Sequence, residues 1–419
     1  MELTEVKISK IVYGGQGLGE LPDGRKVFVW NALPGETVRV RIIKDKKSYA
    51  EGIAEEIVKP SKARIEPEEE NYLATSPWQI VNWQSENEYK KDIVTELFQH
   101  EKVMVPEIPA VFHDERQWHY RNKMEYTFWG DEAGLHLALH QRGSHGKQIV
   151  TGSKLAVPEL DAAANAVVEQ LTKLNARAGD LKTIIVRVNQ KGEAVAALYT
   201  KLEKFAKLEL PSELKGLRVY HSNPRSPASV PTKLIYELGS TLLTDELLGQ
   251  TFYYDVDSFF QVNPPLFEQA LQAIKNHVTE PSITDMYAGV GTIGLSVASS
   301  SVDLVELDPA TAHMAAENAS LSQLSSAVIE ASTEKALEYI TADKPVVFDP
   351  PRAGLHDKVT EKVLEVLPPK VIYLSCNPAT HARDLARLQE MYKITDFQIF
   401  NFFPRTPHIE TLAVLELLQ

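Results

Sequence analysis

The sequence predicts an α/β chain in three parts: a small β-barrel at the N-terminus, an α+β middle, and a doubly wound parallel sheet at the C-terminal end. Three observations carry that prediction. From about residue 252, apolar strand-like runs alternate with helical periodicity to the end of the chain. Within that region "DMYAGVGTIGL" joins a strand end to a glycine turn in which Gly289, Gly291 and Gly294 have G-x-G-x-x-G spacing. Residues 1–58 instead show five short alternating runs separated by glycine turns, the spacing of a small barrel.

Bulk properties narrow the class. A chain of 419 residues, 43% apolar and 24% charged, is too long for one ordinary core. No apolar run is long enough to span a bilayer, and "MELTEVKISK" lacks the apolar centre of an export signal. With a single cysteine, Cys376, these features point to a cytoplasmic protein, with monomer as the default state. The net charge of −13 argues weakly against a nucleic-acid partner, but it is uneven. Residues 1–64 carry 12 Lys/Arg and 9 Asp/Glu, so a mildly basic module precedes an acidic body.

In chain order, "EVKISKIVY", "KVFVW", "TVRVRIIKDKK" and "YAEGIAEEIV" are the barrel strands around the turn "GGQGLGELPDGR", an arrangement of the oligonucleotide-binding kind. The polar stretch "KPSKARIEPEEEN" reads as a linker, opening a middle segment over 59–250. Helical periodicity follows at "SENEYKKDIVTELFQHE" and "VPELDAAANAVVEQLTKLNA", with strands at "TIIVRVNQ" and "AVAALYT". The doubly wound part occupies 251–419. Asn263, ahead of Pro264 and Pro265, has the pattern of a helix N-cap.

The chemistry concentrates at strand ends of this last part. After the glycine turn, "VDLVEL" ends in Glu306, a carboxylate able to accept from two ribose hydroxyls. The turn has no clear basic partner for a pyrophosphate, which ranks S-adenosylmethionine ahead of NAD or a purely structural turn. "KPVVFDPPRAG" delivers Asp349 to a strand end stiffened by two prolines, and "KVIYLSCNP" delivers Cys376 to the same edge. Beyond the turn "FPRTPH", Glu410 sits between apolar neighbours, where burial raises a carboxyl's proton affinity. These groups suit one reaction. A thiolate adding to C6 of uracil makes C5 nucleophilic towards a methyl sulfonium, and a general base then removes the C5 proton.

The stretches "DSFFQVNPPLFEQAL", "DMYAGVGTIGL", "DPPRAGL", "LSCNPATHARDL" and "FPRTPHIETLAVL" together resemble the RNA uridine-5-methyltransferase family. "GGQGLGELPDGRKVFVWNALPGE" resembles its TRAM domain, an RNA-binding barrel, and "YRNKMEYTF" its central domain. The resemblance implies a Rossmann-like class I methyltransferase domain that uses S-adenosylmethionine. It matches Cys376 to the nucleophile and Glu410 to the base. Gln261, Tyr287, Glu306 and Asp349, with the turn glycines Gly289 and Gly291, match cofactor-binding positions; Asp349 and Arg352 are expected beside the uracil. It implies RNA as partner, 23S ribosomal RNA first and transfer RNA as the alternative. A non-catalytic RNA-binding protein on the same fold is the reading from another class. Phe28, Trp30 and Tyr120 are candidates to stack on bases. The chain departs from many relatives in one respect: "EEENYLATSPWQIVNW" and "TGSKLAVPEL" hold none of the cysteines that bind an iron–sulfur cluster there, so a four-cysteine cluster is excluded.

Overall fold

The computed structural model describes residues 3–144, 146–227 and 229–418. In the N-terminal barrel, Thr4–Lys7 pairs with Thr37–Asp45, while Lys10–Ile11 pairs with Gly17–Glu20 on the opposite edge. Ile8 and Ser9 between them donate to Glu36 O and Leu18 O, one on each side. Six assigned strands are therefore five staves, because the first is kinked and closes the barrel on itself. Alternation sends Val6, Ile8, Val27, Val29, Val38 and Val40 inward, all nearly inaccessible to solvent.

The middle of the chain builds a seven-stranded sheet. Helix Pro158–Lys173 covers one face, burying Leu160, Ala163, Val167 and Leu171 against Ile184, Val186 and Val188. On the other face Ile185, Val195, Ala197 and Tyr199 share a core with Leu266, Phe267 and Leu271 of helix Pro264–His277. The two parts thus meet through continuous apolar packing.

The C-terminal sheet has eight strands, in the order Ser325–Glu330, Ser301–Glu306, Ser282–Asp285, Val346–Phe348, Lys370–Ser375, Glu410–Leu417, Tyr392–Phe400 and Val111–Phe112. The first five are parallel, so their carboxyl ends open on one edge. Glu410–Leu417 runs antiparallel between two of its neighbours, with Ser375 opposite Thr411.

One expectation is corrected here. Helix Trp83–His100 and strand Val111–Phe112, read from the sequence as part of the 59–250 middle, pack on the C-terminal sheet instead. Ile93, Val94 and Phe98 join the core of Val371, Tyr373 and Phe397, and the Phe98 and Phe397 rings stand 4.8 Å apart. Among the described residues no helix is long and apolar enough to cross a membrane.

Candidate active site

The carboxyl edge of the sheet gathers the residues predicted from sequence. Asp285 closes its strand fully buried and accepts the Gly294 amide at 2.9 Å, which draws the glycine turn against the strand. Gly289 and Gly291 hold left-handed φ angles of 56° and 89°, a conformation open to glycine without strain. Nothing lies within 4 Å of where a Gly289 side chain would begin, so the turn faces open space. Glu306 ends the neighbouring strand, and its two carboxylate oxygens accept the amides of Gly289 at 2.9 Å and Asp308 at 2.8 Å. Each oxygen keeps a lone pair for a further donor. The Tyr287 ring packs edge-on to Phe348, 6.4 Å between centroids.

Cys376 follows the last residue of its strand and is only partly buried. Because Ser375 pairs with Thr411, the next step in register brings Cys376 beside Glu410. Glu410 is 1% exposed, and its Oε1 has no hydrogen-bond partner among the described residues. Asp349 follows the strand on the other side of Cys376. The three groups act on one another. Burial, then the negative charges of Glu410 and Asp349, push the Cys376 thiol up to about 12, while Arg352 pulls it down. Burial and Asp349 push the Glu410 carboxyl well above the carboxylate range. Burial and Asp285 push Asp349 up to about 7, and the Gln261 amide opposes them. A pocket this crowded with acids retains most of its protons at neutral pH.

Arg352, exposed after the double proline, donates to His408 Nδ1 at 2.9 Å. Burial and the surrounding cations, Arg352 first among them, push His408 down to about 3, so a neutral imidazole accepts that bond. The 401–408 loop that carries His408 rests on a buried network. Lys90 donates to Asn401 Oδ1 at 2.5 Å and Phe403 O at 3.1 Å, and lies 3.1 Å from Glu86. Glu86 accepts the Arg405 amide at 3.0 Å, and the Arg405 guanidinium donates to Val81 O at 2.6 Å. Sequence reasoning missed this support. Its one local signal was a Glu–Lys pair four residues apart on a helix, which ordinarily marks an exposed face.

Two sequence readings change. Asn263 occupies the position before helix Pro264–His277 but makes no side-chain cap; its Nδ2 donates to Phe402 O at 3.1 Å and its Oδ1 is unpartnered. Tyr120, a stacking candidate, is 2% exposed with its hydroxyl on Pro404 O, and so is a core residue. Trp30 carries the Arg142 guanidinium 3.9 Å from its ring centroid, and Phe28 packs edge-on to Tyr49 at 5.8 Å. The two stretches without cluster cysteines are joined by side chains. Gln79 Oε1 accepts the amides of Glu68 and Glu69 at 2.9 and 3.1 Å, and Glu69 accepts the Lys154 amide at 2.8 Å.

Comparison with known proteins adds the family context. Residues 246–417 match the family model described as tRNA (Uracil-5-)-methyltransferase, and residues 2–54 match the TRAM domain. An uncharacterized RNA methyltransferase of Caldanaerobacter subterraneus subsp. tengcongensis is 30% identical, over 99% of both chains. Another, from Enterococcus faecalis, is 28% identical over 99% of this chain and 97% of its own. Among solved structures, the Pyrococcus abyssi tRNA (uracil-54, C5)-methyltransferase in complex with S-adenosyl-L-homocysteine superposes with a TM-score of 0.77. It covers 98% of this chain and 100% of its own at 20% identity, a likeness of fold.

Proposed function

The chain belongs to the RNA uracil-5-methyltransferase family, and from that premise we propose that it forms 5-methyluridine in RNA with Cys376 as nucleophile and Glu410 as general base. The observation that carries this reading is the juxtaposition of a reachable thiol with a buried carboxyl whose Oε1 lacks a partner. A buried, unsatisfied carboxyl oxygen costs stability, and a substrate atom that it will deprotonate supplies a reason for it.

S-adenosylmethionine, when bound, supplies the methyl group and a positive charge. Gly289, Gly291, Tyr287, Glu306, Gln261 and Asp349 are the residues we assign to hold it. The open space at Gly289 and the outward lone pairs of Glu306 fit a ribose there. Asp349 and Arg352 flank the thiol and are assigned to the polar edge of the uracil. Arg352 favours the thiolate, and the thiol proton leaves to solvent on the exposed Arg352 side. The Cys376 sulfur then adds to C6 and the ring electrons move to C5. With the cofactor bound, C5 would take the methyl carbon as the methyl–sulfonium bond breaks and its electron pair stays on the departing thioether sulfur. Glu410, as a carboxylate whose own proton has first left to solvent, takes the C5 proton, the electrons of that C–H bond reform the C5–C6 double bond, and the sulfur leaves C6 as the thiolate. The target base has to leave its stack to reach the sheet edge.

For substrate we place 23S ribosomal RNA first, on the resemblance to TRAM-bearing relatives, with transfer RNA as the alternative. Tritium release from RNA labelled at uracil C5 tests both levels. Release from unmodified ribosomal RNA alone supports the reading, and release from transfer RNA alone moves the substrate. Release from neither overturns the C5 chemistry.

A further inference from the structure

One contact at the reaction centre comes from the opposite end of the chain. The turn around Gly14 and Gly15 of the barrel lies on the loop that leads to Glu410. An added Cβ at Gly15 would stand 2.3 Å from Pro407, and the Trp78 indole donates to Gly15 O at 3.1 Å. Both glycines hold left-handed φ angles, 95° and 92°, so this close seat depends on them. The turn points Tyr13 at the catalytic edge. Its hydroxyl donates to Asn377 Oδ1 at 2.6 Å, and Asn377 directly follows Cys376. Asn377 Nδ2 donates in turn to Arg352 O at 2.7 Å. Asn377 Oδ1 also accepts the Ala379 amide at 3.1 Å, capping helix Pro378–Leu388. Tyr13 is 43% exposed, so the ring is not held there by burial in a core. Arg352 and Cys376 both lie close enough to act on its phenol.

We propose that Tyr13 is a positioning residue for methyl transfer: through Asn377 it fixes the Arg352 backbone beside the thiol, so that the barrel completes the catalytic pocket as well as holding RNA. The proposal rests on the C5 reading above. It separates the barrel into two duties, since a tether acts on RNA affinity and a pocket wall acts on turnover.

Tyr13→Phe removes the hydroxyl and keeps the ring. Loss of one such hydrogen bond is expected to lower kcat by roughly 3- to 10-fold while leaving KM for RNA within about twofold. Cys376 is the only cysteine, so its alkylation by iodoacetamide reads the site without any RNA. With Arg352 less firmly held, the alkylation profile of Tyr13→Phe is expected to move to higher pH than that of the wild type. A change in KM alone, with an unmoved alkylation profile, makes the barrel a tether and overturns the proposal. Unchanged kcat, KM and profile overturn it as well. If the wild type releases no tritium from any RNA, the C5 reading fails by itself, and the alkylation profile still decides the role of Tyr13.

Discussion

Two buried charge clusters stand at opposite ends of the 401–410 segment, and they follow opposite rules. At one end Glu86, Lys90, Asn401 and Arg405 bond one another and the Phe403 and Val81 carbonyls across a space closed to water, with Arg405 Nε left over. At the other end Cys376, Asp349 and Glu410 crowd three acids together with one exposed cation, and an oxygen of Glu410 goes unpartnered. The paired cluster fixes a loop in one conformation, because any missing member would leave a charge stranded. The unpaired cluster raises the proton affinity of its own acids, which suits the proposed reaction. Fewer than ten residues of chain join the rigid support to the reactive group.

The sharpest way to break this contrast is at the thiol. Cys376→Ala is expected to cut tritium release by ~10⁴-fold or more while the urea midpoint stays near that of the wild type. Turnover within about tenfold of wild type would end the covalent mechanism. Glu410→Gln is expected to slow release by ~10²- to 10³-fold and to leave RNA bound covalently, seen as a retarded band on a denaturing gel. No such band would remove Glu410 as the base. At the paired cluster the loss should appear in stability. Glu86→Ala strands Lys90 and Arg405 and is expected to cost about 3 kcal/mol in urea unfolding, whereas Glu410→Gln is expected to cost little. Equal losses would mean that the two clusters do not differ in kind.

The smallest effect sharpens the same point through pH. The folded state raises Asp349 from 3.8 to about 7, so it holds that proton more tightly than the unfolded chain does. The stabilisation is complete below the unfolded value and is lost as pH rises through the folded one. Asp349→Asn mimics the protonated form. The stability of wild type relative to that variant is therefore expected to fall between about pH 4 and pH 7 and to level off above. A flat difference across that window would show that Asp349 is not in an acid-crowded pocket.

The strand-end residues were legible because a parallel sheet brings its carboxyl ends to one edge, and Glu306, Asp349 and Cys376 each close or follow an apolar run that reads locally. Tyr13 was not legible, since a tyrosine in a glycine turn has no periodicity and its partner lies 364 positions away. Val111–Phe112 was hidden for a related reason: two residues carry no pattern, and the sheet they join is chosen by the packing of helix Trp83–His100. Tyr120 and Asn263 were misread because local grammar names a role while long-range geometry picks the partner. Pro404 O took the Tyr120 phenol, and Phe402 O took the Asn263 Nδ2, which holds the side chain away from the helix start and leaves Oδ1 making no cap.

The strand Glu410–Leu417 also sets a timetable. It is made after both of the strands it separates, and it brings the proposed base, Glu410, with it. During synthesis at ~5–20 residues per second, the barrel waits roughly 20–70 s for the segment it docks against. Without Glu410–Leu417, Lys370–Ser375 and Tyr392–Phe400 would each keep an unpaired edge. A chain cut before residue 410 would keep Cys376 but lack Glu410 and the strand that joins the two edges, an open form suited to recognition by proteases and chaperones. Completion of the proposed reactive centre thereby waits on a single strand, the one that starts with Glu410.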